Sequence, residues 1–236
     1  DPYELIKDPN IQVIVEVIWL SLDPYMRGRM SAAKSYALPI EIGEVITGGA
    51  VGKIIESKCP KFNVGDIIEG FLGWQNYVVT DGKPHPTNNP EGVVVCNTEL
   101  GEPVHHIGPL GAPGLTSILA LKHEGKLQPE ETMVITSAAG MVGSIAGQLG
   151  LLCDAWVVGL TSSEEKCRYL IDKLNFDVAI NYKTTNVEEE IQKACPDGVD
   201  YFFVSKEKFI TSFIYLKVQK YYQNLMNTKN LMDLIF

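Results

Sequence analysis

Residues 136–150 read TSAAGMVGSIAGQLG, directly after the apolar run Met133-Val134-Ile135. A turn that cradles a dinucleotide's pyrophosphate reads G-x-G-x-x-G between a strand and a helix. Here the three positions hold Ala138, Gly140 and Gly143. Gly140 would let main chain approach a pyrophosphate, and Gly143 would let the helix approach the strand. The N–H groups and dipole at the helix start would then hold the phosphates. Close helix–sheet packing alone would also use Gly143 and Gly147. The loop's place at the first strand-to-helix turn of a β-α-β series favours phosphate binding.

That series is read outward from the loop. Residues 115–122 follow a helix pattern and 132–136 a strand pattern. They are followed by helix 142–152, strand 155–160, helix 163–174, strand 178–181, helix 187–194 and strand 199–204. Such alternation predicts an α/β unit with a doubly wound parallel sheet. Residues 206–236 read as helix rich in Lys, Tyr and Asn. The first hundred residues differ. Strand patterns cover 11–20, 44–57 with glycines at expected bulges or bends, 67–71 after a turn at 62–66, and 75–80 before the Asp81-Gly82 turn pair. Short strands with glycine corners predict a small barrel or sandwich. A Pro-, Gly- and His-rich junction spans 83–114, so two domains are expected, 1–103 and 104–236.

The 236 residues can bury real cores, with 45% apolar and 21% charged side chains. A net charge of −9 without a Lys/Arg stripe speaks against a nucleic-acid partner. The longest apolar runs are short, and Gln12 and Glu16 interrupt the one at 11–20, so no membrane span is expected. Cys59, Cys96, Cys153, Cys167 and Cys195 are odd in number and form no C-x-x-C pair. Neither a disulfide framework nor a metal site is supported, and a reducing, cytoplasmic compartment fits. A start at Asp1 without methionine reads as that of a fragment or partial chain.

The end of the second strand bears on the choice of cofactor. NAD-binding units usually place Asp or Glu there for the ribose hydroxyls. This chain has Gly159-Leu160-Thr161-Ser162-Ser163, and Glu164 and Glu165 come later. Ser162-x-x-Glu165 matches a capping box, which gives Glu165 a structural task. Lys166 lies one turn into the helix, where an ammonium could meet a 2′-phosphate. NADP(H) is therefore expected over NAD.

Five segments together carry a resemblance: SLDPYMRGRM (21–30), GAPGLTS (111–117), SAAGMVGS (137–144), TSSEEK (161–166) and FDVAINYK (176–183). They resemble the zinc-independent medium-chain dehydrogenase/reductases of the leukotriene B4 dehydrogenase or prostaglandin reductase type, nearest the branch of prostaglandin reductase 2. The resemblance covers residues 11–201. It implies a GroES-like β-barrel domain followed by a Rossmann domain, with NADPH in the cleft between them. It also implies reduction of the carbon–carbon double bond of α,β-unsaturated ketones or aldehydes, small-molecule substrates such as 15-oxoprostaglandins or alkenals. By matching position, Gly140, Met141, Val142 and Gly143 would line the pyrophosphate. Lys166 and Tyr182 would hold the 2′-phosphate, Thr116 would lie near the nicotinamide, and Tyr25 would sit at the substrate end.

Each assignment has a plainer rival. Tyr182 would equally suit a strand-end aromatic, Thr116 a helix-start residue, Arg27 a solvated charge and Tyr25 a loop anchor. His105 and His106 are expected to be surface or core histidines rather than catalytic ones. After residue 201 the family pattern continues with Asp-Asn-Val-Gly-Gly and further strands, whereas this chain reads FFVSKEKFITSFIYLKVQKYYQ. The parallel sheet is therefore expected to be incomplete at its C-terminal side, and the first domain to lack its first strand or two before Asp1. No enolate-stabilising residue is assigned, and Tyr201, Tyr215, Tyr221 and Tyr222 take no such role from context. The expected activity is that of an NADPH-dependent enone reductase, with a homodimer as the candidate assembly. The alternatives are an NADPH-binding but catalytically impaired isoform, and a quinone reductase of the zeta-crystallin type.

Overall fold

The computed structural model describes residues 13–31, 38–81, 83 and 92–204. They fall into two compact units that divide between Gly111 and Ala112.

The first unit is built on an antiparallel sheet of five strands: β1 (Val13–Leu20), β2 (Ala50–Ser57), β3 (Ile67–Gly70), β4 (Tyr77–Thr80) and β5 (Val94–Val95), in the order β4-β1-β2-β3-β5. Val13 and Val15 of β1 point to one face with Ala50, Ile54 and Ile68, and all are fully buried. Register breaks between Ile14 and Val15 and between Val17 and Trp19 mark two bulges in the β1–β2 pair. Bulges increase local twist and bend the sheet. β2 begins at Ala50, and before it the main chain makes single bonds: Ser21 N–H donates to Gly49 O at 2.9 Å and Trp74 N–H to Ile46 O at 2.8 Å. Gly48 leaves room for a side chain of the preceding helix: a Cβ there would lie against the Met26 methyl.

Met26 belongs to α1 (Pro24–Arg29), the helix formed by the DPYMR segment. Ser21 Oγ donates to Asp23 Oδ2 at 2.5 Å, and Met26 N–H donates to Asp23 O at 3.1 Å. Proline at the first helical position suits this start, since its missing N–H would have no helical partner. The junction expected to be loop carries more order than composition implies. It contains β5 and a 3₁₀ turn, Pro103–Ile107. His106 is buried there, with Nδ1 3.3 Å from Glu69 Oε1 and Nε2 3.3 Å from Asn97 O. His105 Nδ1 accepts the Glu102 N–H at 3.1 Å. Both histidines thus have local structural partners.

The second unit opens with α2 (Ala112–Ile118), three residues earlier than the apolar pattern indicates, and continues into a π-helical turn, Leu119–Glu124. The Gly125 N–H donates to Ala120 O at 2.8 Å. Four parallel strands follow, separated by helices: β6 (Thr132–Ile135), α3 (Met141–Leu152), β7 (Trp156–Thr161), α4 (Glu164–Leu174), β8 (Val178–Asn181), α5 (Val187–Ala194) and β9 (Tyr201–Phe203). Their order is β8-β7-β6-β9, so the chain reverses direction across the sheet between β6 and β9. Alternate residues serve opposite faces. Met133, Ile135 and Val157 pack with Ala146, Leu170 and Phe176 on one side. Val134, Val158 and Leu160 pack with Ile180, Ile191 and Cys195 on the other. Burial on both faces explains why β6 and β7 are apolar runs without polar alternation. The expected helix at 206–236, with Tyr215, Tyr221 and Tyr222, lies outside the described residues.

Small residues on α3 set the helix–sheet spacing. A Cβ on Gly147 would fall 1.9 Å from Phe176 Cζ, inside the ring's contact surface. Gly147→Ala should therefore lower stability by about 1–3 kcal/mol through overpacking. Thermal unfolding would show the loss, and Phe176→Leu in the same chain should recover part of it.

All five cysteines are free. Burial raises the thiol of Cys195 to about 11, and burial with the Glu69 carboxylate raises that of Cys96 to about 11. Both remain protonated thiols at pH 8 while folded, and the thiolate is the reactive form. Iodoacetamide at pH 8 should modify the half-buried Cys59 and Cys153 well before Cys96 and Cys195. Mass spectrometry should show that order vanish in denaturant.

Candidate dinucleotide-binding site

The site expected from the glycine loop lies within the second unit, at the carboxyl ends of β6 and β7. Thr136 N–H donates to Phe203 O at 2.9 Å, which ties the ends of β6 and β9 together at the reversal point of the sheet. Crevices at such points are where open α/β sheets place ligands.

After Thr136 the chain turns through Ser137, whose φ of 52° lies in the left-handed region. Ser137 thus takes the strained position, and Ala138 does not. The Ala138 N–H donates to Leu160 O of β7 at 3.0 Å, and its fully buried Cβ faces Gly159. An alanine in the first glycine position is therefore accommodated because Gly159 leaves it room. Gly140 N–H donates back to Ser137 O at 2.8 Å, and Gly140 is the N-cap of α3. A Cβ on Gly143 would lie 2.6 Å from Ser137 O and 2.9 Å from Ala138 Cα, both main-chain atoms. Nothing larger than hydrogen fits there without moving the turn. Gly140 has only one such neighbour, Ser137 O at 3.1 Å.

Met141, Val142 and Gly143 form the first turn of α3, whose N–H groups have no partner within a helix. Met141 is exposed beside them. This arrangement of N–H groups, positive dipole end and close main chain fits a phosphate ligand. The fit rests on the Gly143 contact: a side chain there would push the helix start off the turn that sets these N–H groups in place.

A buried residue outside the predicted site holds this turn from behind. Ser117 is fully buried in α2, and its Oγ lies 2.9 Å from Pro113 O and 3.1 Å from Val142 O. It joins α2 to the first turn of α3. Its position in GAPGLTS was the available signal, but a serine in a helix pattern reads as a surface residue. Neighbouring Thr116 is exposed, and its hydroxyl donates to Ala112 O at 2.8 Å.

At the end of β7, Tyr182 N–H donates to Thr161 O at 3.0 Å, which brings residue 182 beside the start of α4. The Tyr182 side chain is half-buried and Lys166 is exposed in the first turn of α4. The helix cap differs from the expected Ser162/Glu165 box. Ser163 is the N-cap, and its Oγ accepts the Lys166 N–H at 3.3 Å. The pattern is shifted by one because β7 extends through Thr161 and leaves a single residue, Ser162, before the cap. Glu165 consequently has no place in a box. Glu164 takes a structural role instead: its Oε1 accepts from Asn181 Nδ2 at 2.6 Å and lies 3.4 Å from Thr184 Oγ1. Burial first, then the Glu164 charge, pushes up the Cys167 thiol.

Tyr201 is placed at the opposite end of the sheet. It begins β9, and its hydroxyl donates to Ala120 O in the π turn at 2.8 Å. That position serves packing and keeps it from the carboxyl ends of the strands.

In the first unit, Tyr25 is half-buried in α1 and Arg27 is exposed. Arg29 has defined partners: Nε donates to Leu38 O at 3.2 Å, and Nη1 reaches Thr47 Oγ1. An open depression lined by Val17, Ile18, Leu20, Trp74, Gln75 and Asn76 lies in the same unit. Among the described residues, no group of three His, Cys, Asp or Glu is arranged to hold a metal ion, and no helix is long and apolar enough to cross a membrane.

These features have counterparts in known proteins. The family profile described as N-terminal domain of oxidoreductase matches residues 4–86. NADPH-dependent curcumin reductase of Escherichia coli (strain K12) is 38% identical over 192 residues, 81% of this chain and 53% of that protein. Prostaglandin reductase 1 of Rattus norvegicus is 37% identical over 198 residues, 82% of this chain and 55% of that protein. CurA from Vibrio vulnificus, solved also in complex with NADPH, aligns with a TM-score of 0.74 at 36% identity, over 87% of this chain and 59% of that one. The chain thus spans about half the length of the curated relatives it matches. They establish the family without singling out the branch of prostaglandin reductase 2. With its barrel-type sheet, its doubly wound parallel sheet and the Ala138-x-Gly140-x-x-Gly143 turn, the chain belongs to the zinc-independent medium-chain dehydrogenase/reductases.

Proposed function

We propose that the chain binds NADPH at the β6–α3 turn and, within a complete protein of this family, serves reduction of the carbon–carbon double bond of α,β-unsaturated ketones or aldehydes. One observation carries the reading. A helix start that admits only glycine at 143 stands one strand away from the β7–α4 turn, where Lys166 is exposed in the first helical turn and Glu164 is already engaged by Asn181. The names of the relatives, NADPH-dependent curcumin reductase and prostaglandin reductase 1, support the same class.

NADPH, when bound, supplies the hydride for the β-carbon of such an enone. The residues of this chain bind and orient. Main-chain N–H groups of Met141, Val142 and Gly143 hold the pyrophosphate. Lys166, with Tyr182 beside it, holds the 2′-phosphate as a charge-assisted contact. Thr116 has spent its proton on Ala112 O but keeps oxygen lone pairs, so it can accept an amide N–H from a nicotinamide. Tyr25 lines the substrate side. The preferred substrates are 15-oxoprostaglandin-like enones or alkenals, and the free cysteines suit a reducing cytoplasmic setting.

Two measurements test this reading. Titration by nucleotide fluorescence should show NADPH bound more tightly than NADH. Lys166→Ala should weaken NADPH by about 10-fold or more, the scale of one charged contact, and leave NADH within about twofold. Gly143→Ala should weaken both nucleotides by about tenfold or more, because the displaced turn serves the pyrophosphate common to both. Equal loss of the two nucleotides in Lys166→Ala would remove the 2′-phosphate assignment. Consumption of NADPH with a 15-oxoprostaglandin or an alkenal by the full-length protein tests the reaction itself.

A further inference from the structure

Glu164 opens α4 two residues beyond Ser162, where a carboxylate could reach the adenosine ribose. It is held elsewhere. Its Oε1 accepts from Asn181 Nδ2 at 2.6 Å, with Thr184 Oγ1 3.4 Å from the same oxygen. Asn181 is only 5% exposed and is itself fixed by its turn. Its Oδ1 accepts the Lys183 N–H at 3.2 Å, which leaves the amide NH₂ to face the carboxylate. Its main-chain oxygen accepts from Thr184 N and Thr185 N, each at 3.2 Å, and from Thr185 Oγ1 at 2.9 Å. Asn181 is thus a preset donor at the end of β8, and Glu164 is its acceptor.

Resting on the proposed NADPH site, we infer that Asn181, with Thr184, draws the Glu164 carboxylate toward the end of β8 and away from the ribose 2′ position, and that this restraint is a determinant of preference for 2′-phosphorylated nucleotides. Two physical effects act in the same direction. A released carboxylate at the start of α4 would repel a 2′-phosphate, since both charges lie within a Debye length in a partly exposed site. It could also accept a hydrogen bond from the free 2′-hydroxyl of an unphosphorylated ribose, the task of the acid in NAD-binding units. Lys166 attracts the phosphate, and the Asn181–Glu164 bond removes a competitor for the same space. Asn181 is therefore a positioning residue, acting through Glu164.

The test is nucleotide binding to the full chain, read as the ratio of the dissociation constants for NADH and NADPH. Asn181→Ala should lower that ratio by about fivefold or more, as expected for an added like charge near the phosphate. Glu164→Gln alone should change it by less than about twofold, because the restrained carboxylate already lies aside. The double variant Asn181→Ala/Glu164→Gln should return the ratio to within about twofold of the starting value, since only the charge is harmful. A merely structural Asn181 would weaken both nucleotides together, leave the ratio unchanged and show no rescue by Glu164→Gln; that result overturns the inference. Should Asn181→Ala not fold, Asn181→Ser keeps a small neutral side chain that can accept the Lys183 N–H, is too short to hold Glu164, and carries the same expectations with Glu164→Gln. If the unsubstituted chain binds neither nucleotide, the proposed function itself falls. If it prefers NADPH and the variants keep that preference, only the Asn181 restraint falls.

Discussion

The approach of α3 to the main chain of Ser137 and Ala138 is the constraint on which the second unit depends. A Cβ at position 143 would sit 2.6 Å from Ser137 O, so the helix start and the preceding turn share one volume. That turn is held from three sides. Ala138 N–H bonds to Leu160 O of β7, Gly140 N–H bonds to Ser137 O, and Thr136 N–H bonds to Phe203 O of β9. Ser137 adopts positive φ to make these bonds simultaneously. The backbone strain of a non-glycine residue there costs of order 1–3 kcal/mol, and surrounding contacts must over-determine it. They do: the neighbouring β6 and β7 side chains Met133, Val134, Ile135, Val157, Val158 and Leu160 are all fully buried.

A second layer of support reaches the turn from α2. Ser117 places its hydroxyl between Pro113 O and Val142 O, which anchors α2 against the first turn of α3. The π-helical turn at Leu119–Glu124 then lets the chain leave α2 with Ala120 O turned toward both Gly125 N–H and the Tyr201 hydroxyl. Gly125 is small because the Tyr201 ring occupies the space its side chain would need. The start of β9 is thereby fixed at the far end of the sheet, while its end is fixed at the site by Thr136. The two attachments give the short β9 a definite register against β6.

Much of the strand and helix series was legible because both faces of the parallel sheet are buried. Runs such as Met133-Val134-Ile135 and Val157-Val158 leave no polar side, and α4 and α5 carry amphipathic stripes. The elements that escaped were those without a period. β5 is two residues long, and the 3₁₀ turn at Pro103–Ile107 is tied by His106 to nearby Asn97 and to Glu69, far away in sequence. The start of α2 was read late because Ala112-Pro113-Gly114 resembles loop composition. The cap of α4 was read one residue early, since Ser162 and Ser163 are equivalent as caps and only the length of β7 distinguishes them. In the site, Lys166 and the absence of an acid within β7 were visible locally. The Glu164 engagement was not, because its partner Asn181 comes seventeen residues later across β8.

By itself the sequence determined the order of strands and helices, the glycines where helix and turn must touch, and the family to which these segments point. These follow from local periodicity and steric limits, which act over a few neighbouring residues. Tertiary structure alone decided which alanine, serine and asparagine matter. Ala138 is allowed because Gly159 lies opposite it, Ser117 serves the site because Val142 O lies within 3.1 Å, and Glu164 is engaged because β8 ends beside α4. Each depends on a neighbour brought close by the parallel sheet, and a one-dimensional pattern carries no information about such distances.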